Sequence, residues 1–561
     1  MRQNVCGFLN SVAFSRLGSL PGPRLPSPPR PTSPALPPAA PWRGLSAGAA
    51  ASGTIAAVAG LVFSRVPLRM TDLWGHLAYG RWIAQHGPPT AEPLLPIVQV
   101  GPYVDSAWLA QWLWYRLDEV TGPAGLQCLH AGLVLLTGWL LAWAGARQTR
   151  SWWGGTIASL FWFATNWFQL QVIRPQLWGC LCGALTLVWL CGRGPHRPRP
   201  AWLIPIFLLW ANLHGSFVVG WLWLALATGS LWMETLRSVR LRPDSPTALA
   251  PRDVRARQLL WGVILALATV WINPYGGQLP AAVLDVAAHP NLRDLSEWQP
   301  LRPGSRQGLI FVSSLILIAL AAVGRLIVGL SQRRPVSRWF APTPAWLALS
   351  GLILALATVR SARFIVWWGP IGGLWLATLL SGRSWSDRSH WWNQPRLAWW
   401  LVPALASGIA LGRSPLGTWW RTRQRPPLAE MVEAQTPLAI AEFLRAHPEP
   451  GFLFCPLEWG DYLQWQVPQS PAMPILFGSH VHLLPPDLWR DYLAVVRRSA
   501  DWSTVLDRLE VETVVLDRAG RPGLMAEIDQ HPGWQRVYED GLGVIWHRRT
   551  VNSAPKAEGD H

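Results

Sequence analysis

From about residue 46 to 412 the chain alternates apolar runs approaching 20 residues with short loops whose charges are mostly Arg. A helix of about 20 apolar residues spans the hydrocarbon core of a bilayer, so this alternation allows little except a membrane bundle. The composition agrees, with 50% hydrophobic and only 14% charged residues in 561. The expected fold is an all-α polytopic bundle of about eleven transmembrane helices, at approximately 46–65, 124–146, 152–171, 175–192, 201–213, 216–235, 258–273, 307–330, 343–359, 364–381 and 397–412. The fifth and sixth are short, and a helical hairpin that dips to membrane depth is the other reading of them.

Loop charge orients the bundle. With the N-terminus inside, each inner loop is basic: Arg147 and Arg150; Arg193, Arg197 and Arg199; Arg237 to Arg257; Arg333, Arg334 and Arg338; Arg383, Arg388 and Arg396. This pattern follows the positive-inside rule and puts the tail from about 413 outside. The net charge of +17 is spread over these loops instead of one soluble face, so it reports orientation and gives no reason to expect nucleic acid. The six cysteines mostly lie in apolar runs without ligand spacing, which predicts neither a disulfide framework nor a zinc site. Residues 1–45, rich in Pro, Ser and Arg, cannot bury a core and read as a disordered extension on the inner side, as a transit-like segment or as a product of start-site choice.

On this count the outer side collects the polar groups that loop charge fails to explain: Asp72 and His76; Arg174; Asn212 and His214; Asn273; Glu297 with Trp298; and Arg360 with Arg363. In a compact bundle such loops converge on a cavity. The first outer loop, about 66–123, reads as two surface-lying helices. Trp74, Leu77, Ala78, Arg81 and Trp82 form one face of the first, and Trp108, Leu109, Trp112 and Leu113 one face of the second, with turns at Gly87-Pro88-Pro89 between them.

The pattern D-L-W-x-H-x-x-x-G-x-x-I-x-x-x-G from Asp72 to Gly87 resembles the first outer loop of GT-C class integral membrane glycosyltransferases, in the bacterial lipid-linked-sugar and mannosyltransferase-like branch. Asp105-Ser106-Ala107-Trp108-Leu109, Arg174-Pro175-Gln176-Leu177, Trp210 to Gly215, Asn273-Pro274-Tyr275-Gly276 and Glu297-Trp298-Gln299-Pro300 resemble that class as well. The resemblance covers about 72–546 and implies transfer of a sugar from a polyprenyl-phosphate donor to a glycan, lipid or protein acceptor at the outer face of a bacterial cytoplasmic membrane. It also implies that Asp72 acts near the acceptor. No Asp-x-Asp pair follows the first helix, so no cofactor is expected, while a divalent metal stays open.

Each candidate carries a plainer reading beside the functional one. Asp72 suits a general base, and equally the N-cap of a helix beginning at Leu73. His76, one turn later, would orient it or touch phosphate. Arg174, Arg360 and Arg363 suit phosphate, since guanidinium grips it with two donors; snorkelling to headgroups is the alternative. Asn212 and His214 suit substrate binding or an interhelical contact. Asn273 reads chiefly as a helix stop, and Glu297-Trp298 as a sugar-stacking pair or an interfacial anchor. The tail, 413–561, gains acids and loses long apolar runs, which predicts a soluble α/β domain with strands near 451–455, 513–516 and 542–546, and a helix from Thr436 as N-cap through Ala446. A non-catalytic scaffold or a transporter of glycan or lipid precursors is the competing class, although no Asp or Glu lies between Val120 and Met233 to serve a transport path.

Overall fold

The computed structural model describes residues 45–95, 97–98, 103–192, 199–241, 254–333, 343–381, 394–424, 426–467 and 473–549. The expected N-terminal extension, Leu45 apart, and most of the Arg of the longer inner loops lie outside the described residues.

Helices α1 (Ala47–Phe63), α2 (Leu73–His86), α3 (Trp108–Thr121), α4 (Pro123–Thr149), α5 (Trp152–Asn166), α6 (Gln176–Leu190), α7 (Leu203–Leu213), α8 (Phe217–Leu241), α9 (Val254–Val270), α10 (Gln278–Ala288), α11 (Arg306–Ser331), α12 (Ala345–Arg360) and α13 (Ile365–Leu380) follow one another, and a further apolar helix runs over Leu401–Arg413. Several begin where a hydroxyl takes an orphan amide: Ser46 Oγ accepts from Ala49 N at 3.3 Å, and Ser305 Oγ from Gly308 N at 3.0 Å. Small residues then bring helices together. A Cβ on Gly155 of α5 would lie 2.2 Å from the Ala142 carbonyl oxygen of α4, so only glycine permits that approach. Large indoles fill what remains: Trp162, Trp210, Trp223 and Trp368 are fully buried, with Trp210 Nε1 on Ser216 Oγ and Trp368 Nε1 on Ser314 Oγ, both at 2.9 Å.

The outward faces of α11, α12 and Leu401–Arg413 leave Leu320, Leu356 and Leu405 more than three-fifths exposed, as lipid-facing surfaces do. These apolar helices make the chain an integral membrane protein. Among the described residues, Pro123–Thr149, Phe217–Leu236, Arg306–Ser331 and Ala362–Leu380 are long and apolar enough to cross a bilayer. Others, such as Ala47–Phe63 and Gln176–Leu190, run 10–17 residues. At about 1.5 Å per residue they fall short of a core about 30 Å thick, so helix length among the described residues does not confirm the count of eleven crossings.

The two helices expected in the first outer loop form, and the apolar face of α2 packs against protein. Trp74, Leu77 and Ala78 are buried, and Trp74 meets the ring of Tyr462 edge-on at 5.0 Å. The reason is close packing on both sides. A Cβ on Gly80 would sit 2.2 Å from the Gln111 carbonyl oxygen of α3, and helix Leu457–Gln466 covers the other flank, where Arg81 Nη1 donates to the Trp465 carbonyl at 3.1 Å.

The tail builds a four-stranded sheet in the order β1 (Phe452–Phe454), β2 (Val511–Asp517), β4 (Gly543–Arg548), β3 (Trp534–Glu539). β1 runs parallel to β2, whereas β4 is antiparallel to both β2 and β3. Val514, Val515 and Leu516 of β2 are all buried, as befits a strand covered on both faces. Strand β3, charged on its exposed face, is not among the strands expected from the sequence. Thr436 does not cap the next helix: it runs Leu438–Ala446 from Pro437, with no side-chain cap bond, and Thr436 Oγ1 is buried without a partner among the described residues.

Candidate functional site

A cavity of about 290 Å³ opens where the loops after α1, α5, α7 and α10 and the α12–α13 turn meet residues 479–482 of the tail. Its polar wall carries Asp72, His76, Asp105, Gln111, Arg174, Glu297 and Arg363, and apolar residues, Val218, Val219, Val283 and Val286 among them, also line it.

An ion-pair chain organises the polar wall. Arg174 Nε donates to Asp72 Oδ1 at 3.0 Å and its Nη1 to Glu297 Oε2 at 2.6 Å, while Arg363 Nη1 donates to the other Glu297 oxygen, Oε1. Two guanidiniums thus converge on one carboxylate. The backbone fixes this arrangement: Arg363 N donates to the Glu297 carbonyl at 2.9 Å and Ala362 N to that of Gln299 at 3.0 Å, which stitches the loop before α11 to the turn before α13. The Arg363 guanidinium also lies 4.9 Å from the Trp298 ring. Burial alone would raise the Glu297 carboxyl, but Arg363 and Arg174 beside it carry it below its usual value. Its anionic neighbours likewise hold Arg174 protonated against its own burial.

Asp72 precedes α2 but makes no side-chain cap bond, because its carboxylate turns to Arg174. Its Oδ2 stands 4.0 Å from His76 Nε2. On the far side of the imidazole, the Gln111 amide donates to His76 Nδ1 at 3.2 Å and to Asp105 Oδ1 at 3.3 Å, which assigns the His76 proton to Nε2, facing Asp72. Burial first, then His480, lower the His76 pKa well below its ordinary value, so the ring is neutral near pH 7. Burial pushes the Asp105 carboxyl up to about 7.

The tail supplies two more imidazoles. His480 meets His76 edge-on at 5.2 Å and lies 5.9 Å from His482; burial brings their pKa values down to about 4 and about 3. Asn291 Nδ2 holds this segment by donating to the carbonyls of Val481 and Leu484 at 2.9 and 2.8 Å. Asp461 Oδ1 accepts from Ser479 N at 2.9 Å. Among the described residues no group of three or more His, Cys, Asp or Glu stands close enough to hold a metal ion.

The structure therefore brings Asp72, His76, Arg174, His214, Glu297, Trp298 and Arg363 to one cavity. It does not bring Asn212, which is an interhelical tie: Nδ2 donates to the carbonyls of Leu208 and Ile272, and Oδ1 accepts from Trp108 Nε1 at 3.0 Å. Nor does it bring Arg360. The expectation that Arg360 and Arg363 share a helix face fails because Ser361, extended at φ −151°, separates the end of α12 from the next turn and leaves Arg360 exposed. Asn273 caps its own turn, with Oδ1 accepting from Tyr275 N. Asp105, Gln111, His480 and His482 join the cavity without having been expected there. Asp105 opens a stretch that carries the family resemblance, but His-x-His in the tail gives no local signal.

No family model matches the chain, and no curated protein matches it. Among solved structures it is similar to the archaeal oligosaccharyltransferase AglB from Archaeoglobus fulgidus, in complex with an inhibitory peptide and a dolichol-phosphate (TM-score 0.48, 12% identity, covering 91% of this chain and 75% of that one). It is also similar to the arabinofuranosyltransferase AftD from Mycobacteria (0.48, 17%, 90% of this chain and 40% of that one). ArnT from Cupriavidus metallidurans bound to undecaprenyl phosphate is a third (0.45, 15%, 88% and 96%). These are GT-C glycosyltransferases, the class that the loop motifs resemble.

Proposed function

We propose that the chain is an enzyme that transfers a sugar from a polyprenyl-phosphate donor to a glycan, lipid or protein acceptor at the outer face of a bacterial cytoplasmic membrane. On this reading the helical region, 46–412, carries the reaction with its N-terminus inside, and the α/β region, 413–561, closes the site from outside. The observation that carries it is the convergence of Arg174 and Arg363 on Glu297 in a cavity that apolar residues also line. A phosphodiester entering there meets two guanidiniums already aimed at an anion, and its prenyl chain meets the apolar residues.

Each residue then has a defined task. Arg174 and Arg363 bind the phosphate and neutralise the second negative charge that it gains when the sugar–oxygen bond breaks with its electron pair. Trp298 offers an aromatic face beside Arg363. Asp72, fixed through Oδ1, receives the acceptor hydroxyl proton on Oδ2 as the acceptor oxygen attacks the anomeric carbon opposite the phosphate, which inverts its configuration. His76, neutral, faces that carboxylate with Nε2 4.0 Å from Oδ2, where it helps to position it. Lipid extracts of a strain lacking the protein test the reading: a polyprenyl-phosphate sugar should accumulate, and an unchanged lipid profile contradicts it.

A further inference from the structure

The polar wall has an end that phosphate chemistry leaves unused. From Arg174 it runs through Asp72, His76 and Gln111 to Asp105, each in contact with the next. Asp105 is 5% exposed and lines the cavity. Its Oδ1 is saturated, accepting from Ala107 N at 2.9 Å and from Gln111 Nε2. Its Oδ2 is buried and has no hydrogen-bond partner among the described residues, and the same holds for Gln111 Oε1 beside it. Two neighbouring acceptors thus lack a donor at the end of the wall remote from the arginines. A buried acceptor without a donor is costly, and a ligand that supplies one removes that cost.

We propose that Asp105, with Gln111 beside it, reads the sugar: Oδ2 accepts a hydrogen bond from a hydroxyl of the saccharide whose phosphate lies at Arg174 and Arg363. This rests on the polyprenyl-phosphate reading above. The sugar is bonded directly to that phosphate, so anchoring one end at the arginines leaves its hydroxyls to meet the wall between Asp72 and Asp105. A neutral hydroxyl fits better than a cation, because Arg174 and Arg363 already serve the wall's other carboxylates. Burial has raised the Asp105 carboxyl to about 7, and a hydroxyl donor would favour its ionised form.

The test compares binding of undecaprenyl phosphate with that of a panel of undecaprenyl-phosphate monosaccharides to the full chain in lipid nanodiscs. Wild type should bind at least one glycosylated lipid roughly tenfold or more tighter than the bare lipid, since sites built to hydrogen-bond a hydroxyl discriminate strongly. Asp105→Asn keeps the Oδ1 contacts but puts an N–H donor where the free oxygen was. It should erase that margin and leave bare-lipid affinity unchanged, with Asp105→Ala losing the margin as well. A margin intact in both variants, no margin in wild type for any sugar, or equal weakening of bare and glycosylated lipid by Asp105→Asn each overturns the inference. Bare-lipid binding indifferent to Arg174→Ala would instead refute the phosphate reading.

Discussion

Arg174 Nε donates to Asp72 Oδ1 across 3.0 Å, joining the first acidic residue of the chain to a side chain 102 positions away. The same guanidinium reaches Glu297, so removing it orphans two carboxylates at once. Arg174→Ala should abolish transfer and lower stability by about 2–3 kcal/mol, below the cost of a fully buried pair because these side chains keep about a fifth of their surface. Arg174→Lys should not restore transfer, since one ammonium cannot reproduce the fork. Transfer assays alongside thermal unfolding in detergent check both.

Glu297 occupies the place that a substrate phosphate would take between Arg174 and Arg363. Glu297→Gln removes the competing charge, so polyprenyl phosphate should bind roughly tenfold tighter at low salt. The folded protein should be less stable, since two guanidiniums then face each other across a neutral amide. Calorimetric titration with the lipid reads the affinity, and weaker binding would mean that Glu297 helps to hold the ligand.

Gly80 is the first of the two glycines in the first-loop pattern, and it faces the backbone of α3. Gly80→Ala would drive a methyl to 2.2 Å from the Gln111 carbonyl oxygen. The helices must separate, at a cost of roughly 1–3 kcal/mol, and Gln111 and His76 shift with them. Reduced thermal stability together with loss of transfer is expected; a variant of normal stability would contradict the close approach.

Asp461 is buried, and burial pushes its carboxyl up to about 7 from 3.8. The folded state therefore holds this proton longer than the unfolded one. The group's contribution is fully favourable below about pH 4 and is lost as pH rises through about 7, at about 1.4 kcal/mol for each pH unit crossed. Asp461→Asn removes that loss, so the variant's gain in melting temperature over wild type should be larger at pH 8 than at pH 5. Unfolding curves at the two pH values decide it.

Much of this arrangement is legible in the sequence. Asp72 and His76 sit one turn apart, and their motif is local. Arg174, Glu297 and Arg363 stand out because a charge on the outer side of a positive-inside bundle needs another explanation. Short apolar runs bounded by turn residues mark β1, β2 and β4. What stays hidden depends on contacts distant in sequence. His480 and His482 lie in a tail where polar residues are ordinary, and contacts distant in sequence, from Asn291 and Asp461, fasten their segment at the cavity. Spacing groups Arg360 with Arg363, yet a single extended residue between helices separates them. Apolar composition shows which segments favour lipid, while among the described residues four helices are long and apolar enough to cross it.

The central claim is transfer from a polyprenyl-phosphate sugar in the cavity of Asp72 and Arg174. Its most direct measurement gives purified wild type and Asp72→Asn a radiolabelled polyprenyl-phosphate sugar and a membrane extract as the acceptor source. Wild type should form a glycosidic product with inverted anomeric configuration, while Asp72→Asn, folded normally, should bind the lipid and transfer at least about a hundredfold more slowly. Equal rates for the two proteins, or retention of configuration in the product, would contradict the account.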